Sequence, residues 1–136
     1  MSHARRVANR ISELRPLSAW AVDVARALGC SDAACAGVDL CVAEAVSNII
    51  RHGYVDGAPH EIGVEILREP GALVIRIEDD ARAFDPLRAP VPEPASLDEA
   101  GRTGRGLLLI RRTAATVSYE RRSGLNQLTL RFALDA

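Results

Sequence analysis

Apolar residues along this chain change period several times, and each change marks the boundary of an element. Val7 and Ile11 alternate loosely within residues 5–13 and predict a first strand. Leu17, Trp20, Ala21, Val24, Ala25 and Leu28 then recur at helical spacing, with Gly29 as a natural stop. Ser31 or Asp32 supplies a cap for a second helix that runs to about His52, followed by Gly53. Strand alternation returns with Ile62, Val64 and Ile66 over 60–68 and continues with Leu73, Ile75 and Ile77. Glu69-Pro70-Gly71 between the two runs makes them a hairpin.

Residues 86–103 break the pattern. They carry four prolines and no periodicity, which predicts a long loop, and loops of that length inside compact domains are usually functional or mobile. A Gly-rich turn at 103–106 then opens an apolar helix, L-L-L-I-R-R-T-A-A. Two last strands, about 115–121 and 126–132, are joined by Arg122-Ser123-Gly124. The order β-α-α-β-β-loop-α-β-β has no internal repeat. It predicts an α+β two-layer sandwich, with helices on one face of a largely antiparallel sheet. At 136 residues the chain fits one domain spanning 1–136.

Composition narrows the chemistry mainly by exclusion. A net charge of −1 gives no general reason to expect nucleic acid or a membrane surface. No uninterrupted apolar run approaches the roughly 20 residues that span a bilayer. The first ten residues, MSHARRVANR, lack the apolar core of a signal peptide, so a cytoplasmic location is expected. Cys30, Cys35 and Cys41 are odd in number and read as small apolar residues, and His3, His52 and His60 form no zinc pattern with them. All 17 basic residues are arginine. Without lysine, a P-loop, a eukaryotic-type protein kinase site and Schiff-base chemistry are all closed. A nucleotide held here needs backbone amides, arginine or metal at its phosphates.

Three segments carry candidate chemistry. On the second helix Val38, Val42, Ala45, Val46 and Ile49 form one stripe, with Asp39, Ser47 and Arg51 on the far side. Glu44 and Asn48 fall together on the boundary, flanked by Cys41, and offer hard oxygen ligands and a base. A lone pair of this kind is more often a solvated helix edge, and by itself it proves little. In I-R-I-E-D-D-A-R-A-F-D-P, residues 75–86, Asp79 sits where a strand ends and can accept from a ligand amino group, while Phe84 can close over an apolar face. A plain polar turn has the same composition. In T-G-R-G-L-L-L-I-R-R, residues 103–112, glycines at a helix N-terminus expose N–H groups to an anion, or simply make a turn.

Taken together and in this order, the three segments resemble the ATP-binding domain of the GHKL superfamily, and within it the bacterial anti-sigma serine kinases of partner-switching systems. L-C-V-A-E-A-V-S-N-I-I-R-H-G-Y (40–54) is similar to their N box, D-D-A-R-A-F-D-P (79–86) to their first glycine box, and G-R-G-L-L-L-I-R-R (104–112) to their second. The tail V-S-Y-E-R-R-S-G-L-N-Q-L-T-L (117–130) resembles their final hairpin. The resemblance implies that Asn48 coordinates the Mg²⁺ that bridges the phosphates of ATP and that Glu44 is the general base for a substrate serine. It implies that Asp79 accepts from the adenine amino group, that Gly104 and Gly106 let the backbone approach the phosphates, and that Arg105 adds positive charge. Residues 86–103 become an ATP lid, and Asn126 stands where the family often has a threonine near the adenine. Ala81 replaces the glycine of the family's D-x-G and Ala83 a second, variable one. A left-handed backbone at 81 would cost alanine about 1 kcal/mol.

The expected partners are a STAS-domain anti-anti-sigma protein as phosphoryl acceptor and a sigma factor or equivalent regulator, with a homodimer suggested by the same resemblance. Two other readings stay open: a non-catalytic nucleotide-binding module acting by sequestration, and a detached histidine-kinase-type ATP domain. The second is disfavoured by the lack of a dimerisation helix with a phospho-acceptor histidine before residue 40.

Overall fold

The alternation of the apolar residues becomes one antiparallel sheet. In the computed structural model, which describes residues 2–54, 56–83, 110, 113–114 and 116–134, the strands are β1 (Ser2–Ala8), β2 (Glu61–Glu69), β3 (Ala72–Asp79), β4 (Thr116–Arg122) and β5 (Leu125–Ala133), ordered β1-β2-β3-β5-β4. Helices α1 (Leu14–Ala27) and α2 (Asp32–Asn48) pack on one face, which makes the molecule the expected α+β sandwich. Ile62, Val64, Ile66, Leu73, Ile75, Ile77, Leu128 and Leu130 alternate toward the helices and form one cluster with Leu17, Ala21, Val38, Val42 and Val46. On the opposite face Val74 is also fully buried. It lies in register between Leu67 and Arg131, on the face where Arg131 pairs with Glu69 (2.6 Å).

Two boundaries and one helix face differ from the periodicity. The first strand spans 2–8 rather than 5–13, because only Val7 in that stretch reaches the core, paired with Ile62. Ile11 is half exposed and begins a 3₁₀ turn, Ile11–Glu13, that feeds α1. Ser47 is buried, not on the solvent side: α2 is flanked by α1 as well as by the sheet, so its buried arc is wider than one stripe. Finally, α2 does not end at His52 as an α-helix. It continues from Ile49 to Gly53 as a wider π-helical turn. The whole segment Asp32–Gly53 is 22 residues and holds an 18-residue window with a mean hydropathy of 1.5, long and apolar enough by composition to cross a bilayer despite its interrupting charges; here its apolar arc is packed in the core.

Local chemistry starts α2 cleanly. Ser31 is extended and its Oγ accepts from the Ala34 N–H at 3.1 Å, with Asp32 in the first turn. Cys30, Cys35 and Cys41 are buried free thiols, as their apolar reading requires. Burial, then the neighbouring Glu44 carboxylate, pushes Cys41 up to about 11 and leaves it unreactive. The loop at 86–103, Phe84 and the Gly104–Gly106 turn lie outside the described residues. Of the helix that follows, Ile110 and Ala114 are buried, and Ala114 N–H donates to the Ile110 carbonyl at 3.1 Å, one helical turn back.

Removing the α2 cap by Ser31→Ala is expected to lower stability by about 1 kcal/mol without changing the denaturant slope. Urea unfolding measures both, and an unmoved midpoint would show that the cap contributes nothing.

Candidate functional site

Strand register builds one wall of the site. Antiparallel pairing sets Asp79 of β3 opposite Asn126 of β5, and Asn126 opposite Arg121 of β4. The three residues therefore form one row on the helix-facing side of the sheet, just past the apolar row Ile77–Leu128–Tyr119. Asp79 is buried, and its Oδ1 accepts from Asn126 Nδ2 and from the Ala81 N–H, each at 2.9 Å. Burial raises the Asp79 carboxyl above its ordinary value, against the lowering effect of these two donors, with Asp80 adding repulsion and Arg121 attraction.

The end of α2 supplies the facing wall. Glu44 and Asn48 lie one turn apart, both partly exposed. Asn48 Nδ2 is buried without a hydrogen-bond partner, an orphan that a bound molecule could satisfy. The π-helical turn after Asn48 advances each residue through a smaller angle than an α-helix does, and so turns Ile49, His52 and Gly53 toward the strand ends. There the two walls are stitched together. The Arg82 N–H donates to the Gly53 carbonyl at 3.2 Å, and a Cβ on Gly53 would meet the Ala81 Cβ at 2.7 Å. Among the described residues, Ser123 is the only non-glycine with positive φ. Ala81 thus stands in an ordinary conformation and carries no left-handed penalty; the missing methyl is on Gly53 instead.

Between the walls lies a cavity of about 50 Å³ lined by Ala45, Asn48, Ile49, Asp79, Ala81, Asn126 and neighbours from the π turn and β4. Apolar walls with a few convergent polar groups suit a flat heterocycle. Of the predicted residues, Asn48, Asp79 and Asn126 meet here. Glu44 stands one turn back from Asn48, outside the lining. Phe84, Gly104, Arg105 and Gly106 lie outside the described residues. Sequence reasoning missed Tyr119, Arg121, His52 and Ile110, of which Tyr119, His52 and Ile110 line the cavity. For Tyr119 and Arg121 the missing signal was the β4–β5 register.

A strap runs beside the site. Residues 56–60 carry His60, whose Nε2 lies 2.9 Å from Asp56 and whose Nδ1 lies 3.2 Å from Asp80. The imidazole stacks on Tyr54, ring centres 4.2 Å apart. The hydrogen bond to Asp56, and then that to Asp80, raise His60 above its ordinary value of 6.5, while burial opposes the rise. Backbone bonds of His60 to Asn9 tie the strap to the end of β1.

Residues 7–132 match the family model described as histidine kinase-like ATPase domain. The chain is 39% identical over 92 residues to the serine/threonine-protein kinase BtrW of Bordetella bronchiseptica, a match spanning 67% of this chain and 65% of that protein. Its fold is similar to the crystal structure of the RsbU and RsbW domains of Rv1364c from Mycobacterium tuberculosis (TM-score 0.69, 14% identity, 98% of this chain and 32% of that one). It is similar also to the SiaB–SiaC complex from Pseudomonas aeruginosa (TM-score 0.57, 18% identity, 96% and 88%).

Two outcomes follow from this geometry. Gly53→Ala should destabilise the fold by about 1–3 kcal/mol through overpacking, and Ala81→Gly in the same chain should recover most of the loss. Additive losses in the double variant would mean that the two positions do not press on each other. The strap should also depend on pH. His60 has a raised folded value, so its contribution is complete below the unfolded value of 6.5 and fades as pH rises through the folded one. Thermal unfolding of native and His60→Gln protein from about pH 6 to pH 9 should show a gap that narrows with rising pH. A constant gap would contradict the assignment.

Proposed function

The chain belongs to the histidine kinase-like ATPase domain family, and on that premise we propose that it binds ATP and acts as a regulatory serine kinase of the anti-sigma type. The carrying observation is one cavity lined both by Asp79, a buried carboxylate held by two donors, and by Asn48, whose amide nitrogen has no internal partner. Asp79 offers an acceptor to the adenine amino group, and Ala45, Ile49, Ile110 and Leu128 offer apolar contact to the ring. Among the described residues no three His, Cys, Asp or Glu side chains could form a metal cage. This donor set fits Mg²⁺ delivered with a nucleotide, which needs only one or two protein oxygens besides the phosphates. Asn48 would hold the ion through its amide oxygen, and the ion would supply neutralisation of phosphate charge.

Glu44, one turn before Asn48 and partly exposed, stands where a second substrate can reach it. It accepts the proton of the attacking serine hydroxyl, while Gly104, Gly106 and Arg105 hold the phosphates and Phe84 covers the base. The acceptor is a serine on a STAS-domain protein, and a sigma factor or equivalent regulator is the alternate partner, in the cytoplasm and with the kinase as a homodimer. The kinase name of the Bordetella relative supports the activity, and the SiaB–SiaC complex supports a protein partner. The matched region spans less than two thirds of that relative, so activity and partners rest on this proposal.

Transfer from [γ-³²P]ATP to the STAS-domain protein tests the assignment. Glu44→Gln should keep nucleotide affinity while losing transfer by at least about 10²-fold, because a base acts in the transition state. Asn48→Ala should lose both. Equal loss of binding and transfer in Glu44→Gln would make Glu44 structural, and an acid-labile phosphoprotein would point to histidine instead of serine.

A further inference from the structure

Asn126 lines the cavity but has no hydrogen-bonding capacity left for a ligand. Its Nδ2 donates to Asp79 Oδ1 at 2.9 Å and to the carbonyls of Ala81 and Arg82 at 3.1 Å each. Its Oδ1 accepts from Arg121 Nη1 at 2.9 Å and from the Tyr119 hydroxyl. An amide has two N–H groups and two acceptor positions, and these contacts fill them. The surroundings also fix its orientation. A flipped amide would set Nδ2 against two donors and Oδ1 against three acceptors. Arg121 further donates to the Ala81 carbonyl at 3.1 Å, which pins the turn that follows Asp79. Neither Arg121 nor Tyr119 has a hydrogen bond to Asp79; Tyr119 acts on it through Asn126, and Arg121 acts both through Asn126 and by its charge.

We infer that Arg121 and Tyr119 of β4 work with Asn126 as a positioning relay. The relay holds one oxygen of Asp79 and leaves the other to the cavity as an acceptor, so that the site selects ligands bearing a hydrogen-bond donor there. The inference rests on the nucleotide reading of the cavity. Asp79 Oδ1 already accepts two bonds, and among the described residues Oδ2 accepts none. Without the relay the Asn126 oxygen loses both of its donors, and the amide is held against Asp79 only from its nitrogen side. With that donor held less firmly and the Arg121 charge gone, Asp79 takes up a proton more readily, and a protonated Asp79 no longer demands a donor from the ligand. Among the described residues, the charged and titratable groups whose charges act on or feel Asp79 are Asp80 beside it, Tyr54 at the end of the π turn and Arg121 across the sheet. Of these only Arg121 favours the carboxylate, so its loss acts in the same direction as loss of the Asn126 donor.

Calorimetry with Mg-ADP and Mg-IDP, which replaces the 6-amino group by a carbonyl, tests the relay in native protein and in Arg121→Gln/Tyr119→Phe. The native protein should prefer ADP, and the double variant should lose about tenfold of that preference, chiefly through weaker ADP binding. Its ADP affinity should also begin to fall at a higher pH on the acid side, with Mg²⁺ dependence retained. Tyr119→Phe alone, which keeps the ring volume, should show the same shifts to a smaller extent and serves if the double variant fails to fold. Unchanged preference and an unchanged acid limb, with binding intact, would overturn the relay. Absence of any nucleotide binding to native protein would instead remove the nucleotide reading on which it stands.

Discussion

A carboxylate taken out of water at the end of a sheet is the constraint around which this molecule is arranged. Asp79 continues the inward row of β3 after Leu73, Ile75 and Ile77, so the alternation that builds the core also drives a charge into it. Such a group is tolerated only when its oxygens are hydrogen-bonded, since burial of an unpaired ion costs several kcal/mol. The Ala81 N–H and Asn126 Nδ2 supply those bonds on one oxygen. Antiparallel register brings Asn126 and Arg121 into the same row without any special loop. The polar end of the sheet is thus a direct continuation of its apolar pairing, and the other Asp79 oxygen is what the arrangement leaves for a ligand.

The second wall depends on a change of helix type. An α-helical Ile49–Gly53 would aim its side chains differently relative to Asn48; the π turn brings Ile49, His52 and Gly53 to the cavity. Close approach of this turn to β3 needs one small residue too many for two methyl groups. Here the alanine lies on the strand side and the glycine on the helix side, as the 2.7 Å separation requires. The substitution of alanine into a glycine-type turn is thereby a redistribution of space, not a strained backbone.

Much of this was legible in the sequence. The two periods located both helices and the last four strands, because burial on one face leaves a repeat of 3.6 or 2 residues wherever an element is long. Asn48 and Asp79, which meet at the cavity, were legible because they sit at element ends with a fixed offset from apolar runs. What escaped were relations across the sheet. Tyr119 and Arg121 look like surface residues of an edge strand until register sets them beside Leu128 and Asn126. Asn126 was placed near the adenine by resemblance, and only its hydrogen bonds show that it serves Asp79. Val7 and Ile11 misled because two apolar residues cannot define a period, and Ser47 because α2 is covered from two sides.

The central claim is that the cavity between the π turn and the ends of β3 and β5 is a nucleotide site organised by Asp79. A ¹⁵N-resolved NMR titration of the native protein with Mg-ADP tests it most directly. The account predicts saturable shifts concentrated at Ala45, Asn48, Gly53, Ala81, Arg82 and the Asn126 side-chain amide. No shifts at millimolar nucleotide, or shifts gathered in the outer groove between α1 and α2 near Ser18 and Asp39, would contradict it.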